Sequence, residues 1–518
     1  MTAVPPLTQN VDWLAVAPPL VTALAALAAL LAAVLLGDGP RARRAPGAIA
    51  VLGLAAALAL LIPLRRGDRT AFCVAGRPAD CSYAADRFAL AFQLLVLGGA
   101  LVAALLSLHA VRGDGASEKR LPRGEFWFLL LGSTAGAALL PAARDLATLV
   151  VALETASLPA FALVGLRRDA RGGEAALKFF LSSVAATAVT LLGVSFLYGA
   201  SGTLFVRALP AALEHAPAQL RTLAGLGAVL ALVGFAFKTA AAPFHMWVPD
   251  TYTGAPLPVA AYLSVVGKAA GLAGLAVLTV LALPGYAHLW GPALAVLAAL
   301  TMTVGNAAAV RSFGRERFAP TAGPGDRGSA VRLLAWSSVA QAGYLLVPLA
   351  AAGHNGRLGR ATGSLVAFAL LYAVVNLGAF AVLAVVGRDR GGLRLDDHRG
   401  LFARRPVAAL ALAFFLLSLA GVPPGVVGLF GKLVVLRSAV DAGLGWLAVV
   451  VALNSVAGLY YYALWTVRLF APAPAGERAA SRVPVGLAAA LAVTAVLGAV
   501  LSAAPELALR LTSGTLLR

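Results

Sequence analysis

The chain contains 518 residues, of which 60% are apolar and 12% are charged, and its formal net charge is +19. A soluble protein of this length needs far more polar surface, so the composition excludes a soluble enzyme and favours a membrane protein with many spans. The basic excess suggests nucleic acid in a soluble protein, but here it fits arginines in loops on the inner side of a membrane.

Uninterrupted apolar runs predict an all-α polytopic membrane protein with about fourteen transmembrane helices. Runs of this length differ from the short alternating strands of a membrane barrel. The predicted spans lie near residues 13–36, 48–64, 88–111, 125–142, 145–166, 174–199, 221–247, 255–281, 286–309, 330–352, 362–387, 405–435, 442–467 and 483–503.

The charges in the loops predict the orientation. When the loops are assigned alternately to the two sides, one side carries roughly twice as many Lys and Arg residues as the other. The side with more basic residues is the inner one, which places both termini outside a bacterial cell membrane. Cys73 and Cys81 then share an outer loop, where a disulfide and two unpaired thiols are both compatible with the sequence. Two cysteines and six scattered histidines predict no metal site.

Lysine is distributed differently from arginine. The chain has 36 arginines and five lysines. Four lysines lie inside apolar runs (Lys178, Lys238, Lys268 and Lys432), whereas Lys119 and the arginines lie in loops or at the ends of spans. A desolvated lysine can release its proton, whereas arginine stays charged in proteins, so buried lysines are candidate proton carriers. A lysine near the end of a span, such as Lys178, can instead extend to the membrane interface.

Among the acidic residues, Glu154 alone lies deep within a predicted span. A buried carboxylate needs a cationic partner, and the interior lysines are its candidates. A Glu–Lys pair that forms and separates would change the affinity of the lysine for its proton, which is a mechanism for proton movement.

Prolines interrupt two of the lysine-bearing segments. Proline lacks a backbone donor, and such breaks occur in membranes where protein or a cavity satisfies the freed groups. The first break contains Pro243, Pro249, Pro256 and Pro258 and lies beside Lys238, and the second contains Pro423 and Pro424 and lies beside Lys432. A packing kink without an ion path is the alternative interpretation.

The two breaks occupy equivalent places in two sets of five spans. Each broken helix is the fourth of its set, and an odd number of spans makes the two sets inverted in the membrane. We therefore predict four parts: three N-terminal spans (1–124), a first five-helix repeat (125–282), a second five-helix repeat (283–470), and a last span with the C-terminus (471–518).

Several motifs in this order resemble the proton-pumping membrane subunits of respiratory complex I, an antiporter-like superfamily. They are LETASLPAFALVGL, FKTAAAPFHMWVPDTYTGAPLPV, LAWSSVAQAGYLL, LSLAGVPPGVVGLFGK and LNSVAGLYYY, and the resemblance covers roughly residues 88–470. The GAP-x-PV form at Gly254–Val259 and the LYYY ending at Leu459–Tyr462 are most similar to the subunit N branch of this superfamily.

The resemblance implies roles for particular residues. It assigns proton transfer to Glu154, Lys238, Lys268 and Lys432, and it matches Lys178 to a further lysine of the family. His245, next to the first break, is a candidate relay between Lys238 and Lys268, although a lone histidine is more often structural.

The resemblance also implies a chain that binds no cofactor itself. NADH, flavin, iron–sulfur clusters and quinone would belong to partner subunits of the complex, which include antiporter-like and quinone-site membrane subunits. Two alternatives remain open: a subunit of a multi-subunit cation/proton antiporter or membrane-bound hydrogenase, and a scaffold whose buried charges only fix the register of the helices.

Overall fold

The computed structural model describes residues 11–37, 39, 42–75, 77–112, 121–318, 328–355, 358–390, 393–472, 481–510 and 516–517. Thirteen of the described helices are long and apolar enough to cross a membrane. The predicted all-α polytopic membrane fold is therefore confirmed. The predicted outer tails, residues 1–10 and 511–515, lie outside the described residues.

The N-terminal part consists of three spans and a hairpin. Its helices are α1 (Trp13–Leu35), α2 (Ala45–Ala59), the short α3 (Leu61–Leu64) that continues α2, and α4 (Arg87–Arg112). Strands β1 (Arg69–Val74) and β2 (Arg77–Ala85) pair antiparallel between α3 and α4. Cys73 and Cys81, whose pairing the sequence leaves open, form a disulfide across this hairpin.

A salt bridge fastens the hairpin to the first helix. Asp12 caps α1 by accepting hydrogen bonds from the backbone N–H groups of Leu14 and Ala15 at 3.1 and 3.2 Å. Arg69 Nη1 of β1 lies 2.8 Å from Asp12 Oδ2. The hydrogen bond from this guanidinium lowers the pKa of Asp12 below its ordinary value.

The next set of helices contains the first break. It consists of α5 (Arg123–Leu139), α6 (Leu146–Gly165), α7 (Ala170–Ser201), α8 (Leu209–Glu214), α9 (Arg221–Ala231), α10 (Val233–Thr239), α11 (Trp247–Gly254), α12 (Leu257–Tyr262) and α13 (Lys268–Ala276). Turns of 3₁₀ helix lie at Leu140–Ala142 and Ala218–Leu220, and turns of π helix at Leu263–Gly267 and Val277–Ala282. Asp145 and Asp169 begin α6 and α7 by accepting backbone hydrogen bonds from Thr148 and Gly172.

The remaining helices contain the second break. They are α14 (Ala287–Phe318), α15 (Ala330–Asn355), α16 (Leu358–Arg390), α17 (Leu401–Arg404), α18 (Pro406–Ala420), α19 (Val426–Asp441), α20 (Gly445–Phe470), α21 (Val485–Ala503) and α22 (Glu506–Leu509). Turns of 3₁₀ helix lie at Pro284–Tyr286 and Leu395–His398.

Two predicted spans differ from the structure. The seventh, predicted as continuous over 221–247, ends as a helix at Thr239, and the chain becomes helical again only at Trp247. Ala240 there has a left-handed φ of +68°, and Pro243 has no N–H to continue the helix. The twelfth, predicted over 405–435, is the pair α18 and α19, each too short to cross a bilayer alone, and α19 continues to Asp441.

The segment between α5 and α6 joins three parts of the chain at one end of the bundle. The N–H of Arg144 donates to Ser82 O of β2 at 2.8 Å, and the N–H of Val206 donates to Arg144 O at 2.9 Å. The side chain of Arg144 is 4% exposed and pairs with Asp86 at 2.5 Å. These contacts fix the start of α6, the helix that carries Glu154.

Burial divides the helices into central and peripheral ones. The span Leu257–Ala282, which includes α13, and the span Ala330–His354 in α15 are buried along nearly their full length. Helix α7, by contrast, exposes most of its residues. Lys268 therefore lies on a central helix, whereas Lys178 lies on a peripheral one.

Candidate functional site

Hydroxyl groups connect Glu154 and Lys238 to neighbouring helices. Thr187 Oγ1 of α7 donates to Glu154 Oε1 at 2.6 Å, and Lys238 Nζ of α10 donates to Ser157 Oγ of α6 at 2.9 Å. Ser157 lies three residues after Glu154, which puts both on one face of α6. The charge of Glu154 acts on Lys238. Among the described residues the two charges interact without a direct ion pair.

Aromatic rings cover Lys238 beside the first break. The lysine is 2% exposed, and its Nζ lies 5.5 Å from the centroid of the Phe179 ring. Phe179 stacks on Trp247 at 4.2 Å, and Trp247 Nε1 donates to Phe237 O at 3.2 Å. The ring of Trp247 thus connects α11 to α10 across the break and packs on the ring that covers the amine.

Lys268 lies in the middle of the molecule, at the start of α13. It is 1% exposed, and its Nζ donates to the backbone carbonyl of Ser338 in α15 at 2.6 Å. His245, in the first break, is 6% exposed and interacts electrostatically with Lys268. Its ring centroid lies 5.8 Å from that of Trp336, and its Nδ1 has no hydrogen-bond partner among the described atoms.

Lys432 lies in α19, after the second break. Its Nζ donates to Ala420 O at the end of α18 at 2.6 Å and lies 5.4 Å from the centroid of the Tyr344 ring. An ammonium has three donors, so Lys268 and Lys432, each with one carbonyl acceptor, retain donors for water. Within the described part of the chain neither contacts a carboxylate, unlike Lys178.

Lys178 occupies a different environment from the other three lysines. Its side chain is 51% exposed and forms ion pairs with Glu174 at 2.7 Å and Asp250 at 3.0 Å. Arg332 Nη1 of α15 reaches the other oxygen of Asp250 at 3.4 Å. Lys178 thus joins a charged surface network and lies apart from the buried amines.

The predicted break prolines occupy several kinds of position. Pro243 lies between α10 and α11, Pro249 lies within α11, and Pro256 directly precedes α12. Pro423 and Pro424 lie between α18 and α19. Each break therefore has a lysine beside it in space as well as in sequence; this lysine is buried at the first break and half-buried at the second.

Sequence reasoning missed the groups that hold the charges. Ser157, Thr187 and the carbonyl of Ser338 are the contacts of Glu154, Lys238 and Lys268. The spacing of Ser157 to Glu154 was a usable signal. A backbone carbonyl has no sequence signal, and the rotation of α7 that presents Thr187 follows only from packing.

A model of the family described as NADH:quinone oxidoreductase/Mrp antiporter, TM matches residues 143–318 and 327–458, more than half of the chain. The chain belongs to this family. The two matched segments of the chain contain Glu154 and the four lysines that lie in apolar runs. The chain is 60% identical to NADH-quinone oxidoreductase subunit N 2 of Streptomyces griseus, over 99% of this chain and 95% of that one.

Solved structures of the antiporter family have the same fold. The chain resembles one from respiratory complex I of Thermus thermophilus with bound aureothin, with a TM-score of 0.75 and 33% identity. That match covers 96% of this chain and 100% of the other. A chain of the Mrp complex from Dietzia sp. DQ12-45-1b has a TM-score of 0.79 at 20% identity, covering 96% of each chain, a likeness of fold alone.

Proposed function

We propose that the chain is a proton-translocating membrane subunit of an NADH:quinone oxidoreductase. Protons pass through Glu154, Lys238, Lys268 and Lys432 while other subunits reduce quinone. The observation that carries the proposal is the position of these amines beside hydroxyl and carbonyl oxygens: they are buried on α10 and α13 and half-buried on α19. The 60% identity to a subunit N of NADH-quinone oxidoreductase supports the coupling to that complex.

The Glu154–Lys238 pair would act as the control point of proton transfer. While the two charges attract each other, Lys238 retains its proton. When they separate, the ammonium is a buried charge without compensation and donates its proton onward. His245 and water would pass it to Lys268, and Lys432 would take it next.

The same proposal includes the orientation of the chain, its internal repeats and its partner subunits. Both termini lie outside the bacterial membrane, and residues 125–282 and 283–470 form two five-helix units inverted relative to each other. The chain itself binds no redox cofactor. NADH, flavin, iron–sulfur clusters and quinone belong to partner subunits, and its neighbours are antiporter-like and quinone-site membrane subunits.

Replacing the amine of Lys238 tests this function. The intact complex with Lys238→Ala is assembled in inside-out membrane vesicles, and NADH-driven acidification is followed with a fluorescent dye. We expect acidification to fall by at least about tenfold, since positioned proton-transfer groups contribute roughly 10²–10⁴-fold. Arg437→Ala, which removes a cation that is 82% exposed, is the control and keeps acidification. Normal acidification by Lys238→Ala would contradict the proposal.

A cation/proton antiporter subunit is the second candidate, because the Mrp complex chain has the same fold. Purification of the chain with its native partners distinguishes the two functions. Subunits that oxidise NADH or reduce quinone support the first. Sodium-dependent proton flux from a complex without them supports the second.

A further inference from the structure

Two small cavities lie between helices, one among α15, α16, α18 and α19 and the other among α4, α13, α15 and α16. One is bordered by Lys432 and the other by Lys268. Each has room for about one water molecule. A water in either cavity would lie beside the amine of an interior lysine.

Tyr372 of α16 is the residue that the linings of the two cavities have in common. Beside Lys268 and Tyr372, the described lining of the second cavity is apolar throughout: Leu95, Val265, Ala269, Leu272, Leu345 and Ala369. A proton that leaves Lys268 into this cavity therefore meets one polar side chain, the phenol of Tyr372.

The hydroxyl of Tyr372 has two acceptors on the Lys268 side. Its Oη lies 3.0 Å from Ser338 Oγ and 3.2 Å from Ser264 O. Ser338 is also the residue whose carbonyl accepts the hydrogen bond from Lys268. One turn further along α16, Asn376 donates to Ser264 Oγ at 2.6 Å, and its Oδ1 has no partner among the described atoms. The hydroxyl thus has two alternative acceptors, and its O–H bond can rotate from one to the other.

The Lys432 cavity, which Tyr372 also borders, has further polar residues in its lining. Gln341 and Ser418 border it, and Ser418 Oγ has no hydrogen-bond partner among the described atoms. Gln341 Nε2 donates to Leu419 O at 3.4 Å. A buried hydroxyl without a protein partner is a position where water is expected, so this cavity can hold the next member of a proton chain.

We propose that Tyr372 is the relay that passes protons between Lys268 and Lys432, an inference that rests on the proposed function. A water in the Lys268 cavity takes the proton from Nζ and delivers a proton to a lone pair of Tyr372 Oη. The same hydroxyl releases its own proton to a water beside Lys432. Lys268 becomes a neutral amine and Lys432 an ammonium, and Tyr372 is a neutral phenol before and after the step. Rotation of the O–H bond resets the relay.

Tyr372→Phe tests the relay in the intact complex in inside-out vesicles. The change removes one oxygen and keeps the ring that fills the space between the helices. We expect NADH-driven acidification to fall by about tenfold or more, with a larger solvent isotope effect on the remaining rate. Acidification at the level of the unaltered complex overturns the relay.

Tyr262→Phe is the matched control. Tyr262 is equally buried and donates to Ser133 Oγ at 2.9 Å, but it borders neither cavity. An equal loss in this variant would show that any missing buried hydroxyl has the effect, and it would overturn the proposal. If Lys238→Ala stops acidification while Tyr372→Phe does not, the relay alone is wrong. If Lys238→Ala has no effect, the proposed function itself is wrong.

A fluorinated tyrosine at position 372 covers the case in which the phenylalanine variant fails to assemble. It keeps the ring and the hydroxyl and makes the hydroxyl more acidic. We expect the pH at which acidification is half-maximal to shift relative to the unaltered complex. An unchanged pH profile contradicts a hydroxyl that takes part in the transfer.

Discussion

The two broken helices each place a lysine next to the break, but they surround it differently. Lys238 lies in the last turn before its break and interacts with the charge of Glu154 on the adjacent helix. Lys432 follows its break and donates to the carbonyl of Ala420. In the first region a carboxylate charge acts on the ammonium beside a hydroxyl acceptor, and in the second the ammonium has a carbonyl acceptor and a cavity. We therefore expect the first region to respond to changes of charge and the second to the loss of hydroxyl groups.

Glu154→Gln should have the largest effect. Glutamine keeps the shape and the acceptor for Thr187 but removes the negative charge that acts on Lys238. We expect NADH-driven acidification to fall by at least about tenfold, because in the proposed mechanism this charge controls proton release from Lys238. Thr155→Ala, which changes the exposed residue next to Glu154, is the control and should keep acidification. Equal rates for Glu154→Gln and the unaltered complex would show that both regions depend on hydrogen bonds alone.

His398, in the 3₁₀ turn before α17, should make stability depend on pH. Burial lowers the pKa of this histidine to about 4 from its ordinary value of 6.5, so the folded protein favours the neutral ring. This contribution is complete above pH 6.5 and is lost as the pH falls toward 4, with a total of about 3 kcal/mol.

Thermal unfolding of the purified protein between pH 4 and 7 measures this contribution. His398→Gln, which cannot titrate, should lose less stability over that interval than the unaltered chain. The same loss in both would assign the acid sensitivity to other groups.

Ser157→Ala should have a smaller effect on transport. It removes the hydroxyl that accepts the hydrogen bond from Lys238 but leaves both charges in place. Hydrogen bonds to charged groups contribute about 1.5–3 kcal/mol, part of which water can replace, so we expect acidification to fall roughly threefold to tenfold. Ser182→Ala, on the exposed face of α7, serves as the control. A complete loss would show that the hydroxyl is itself a step of the path.

Asp12→Asn, far from both breaks, should have the smallest effect. It removes a partly exposed ion pair with Arg69, and such pairs contribute less than about 1 kcal/mol. Asparagine can still cap α1 through its side-chain oxygen. We expect a change in the thermal midpoint of a degree or two by calorimetry. A shift above about 10 °C would show that the hairpin determines the stability of the bundle.

Sequence predicted the membrane fold because apolar runs and prolines are local signals. Pro243, Pro423 and Pro424 mark the breaks that the structure contains, although the position at which α10 ends depends on Ala240, which has no such signal. Contacts between helices were harder to predict from the sequence. Lys178 lies in an apolar run like Lys238 but near the end of its span, and only the rotation of α7 shows that it joins a surface network. Tyr372 borders two cavities that exist only after packing.

Lys238→Arg in the assembled complex tests most directly whether the buried lysines carry protons. Arginine keeps a positive charge near Glu154 but cannot give up its proton. In vesicles with equal amounts of assembled complex, we expect NADH-driven acidification to fall as far as in Lys238→Ala. Acidification at the rate of the unaltered complex would contradict this expectation, because a fixed charge would then be sufficient.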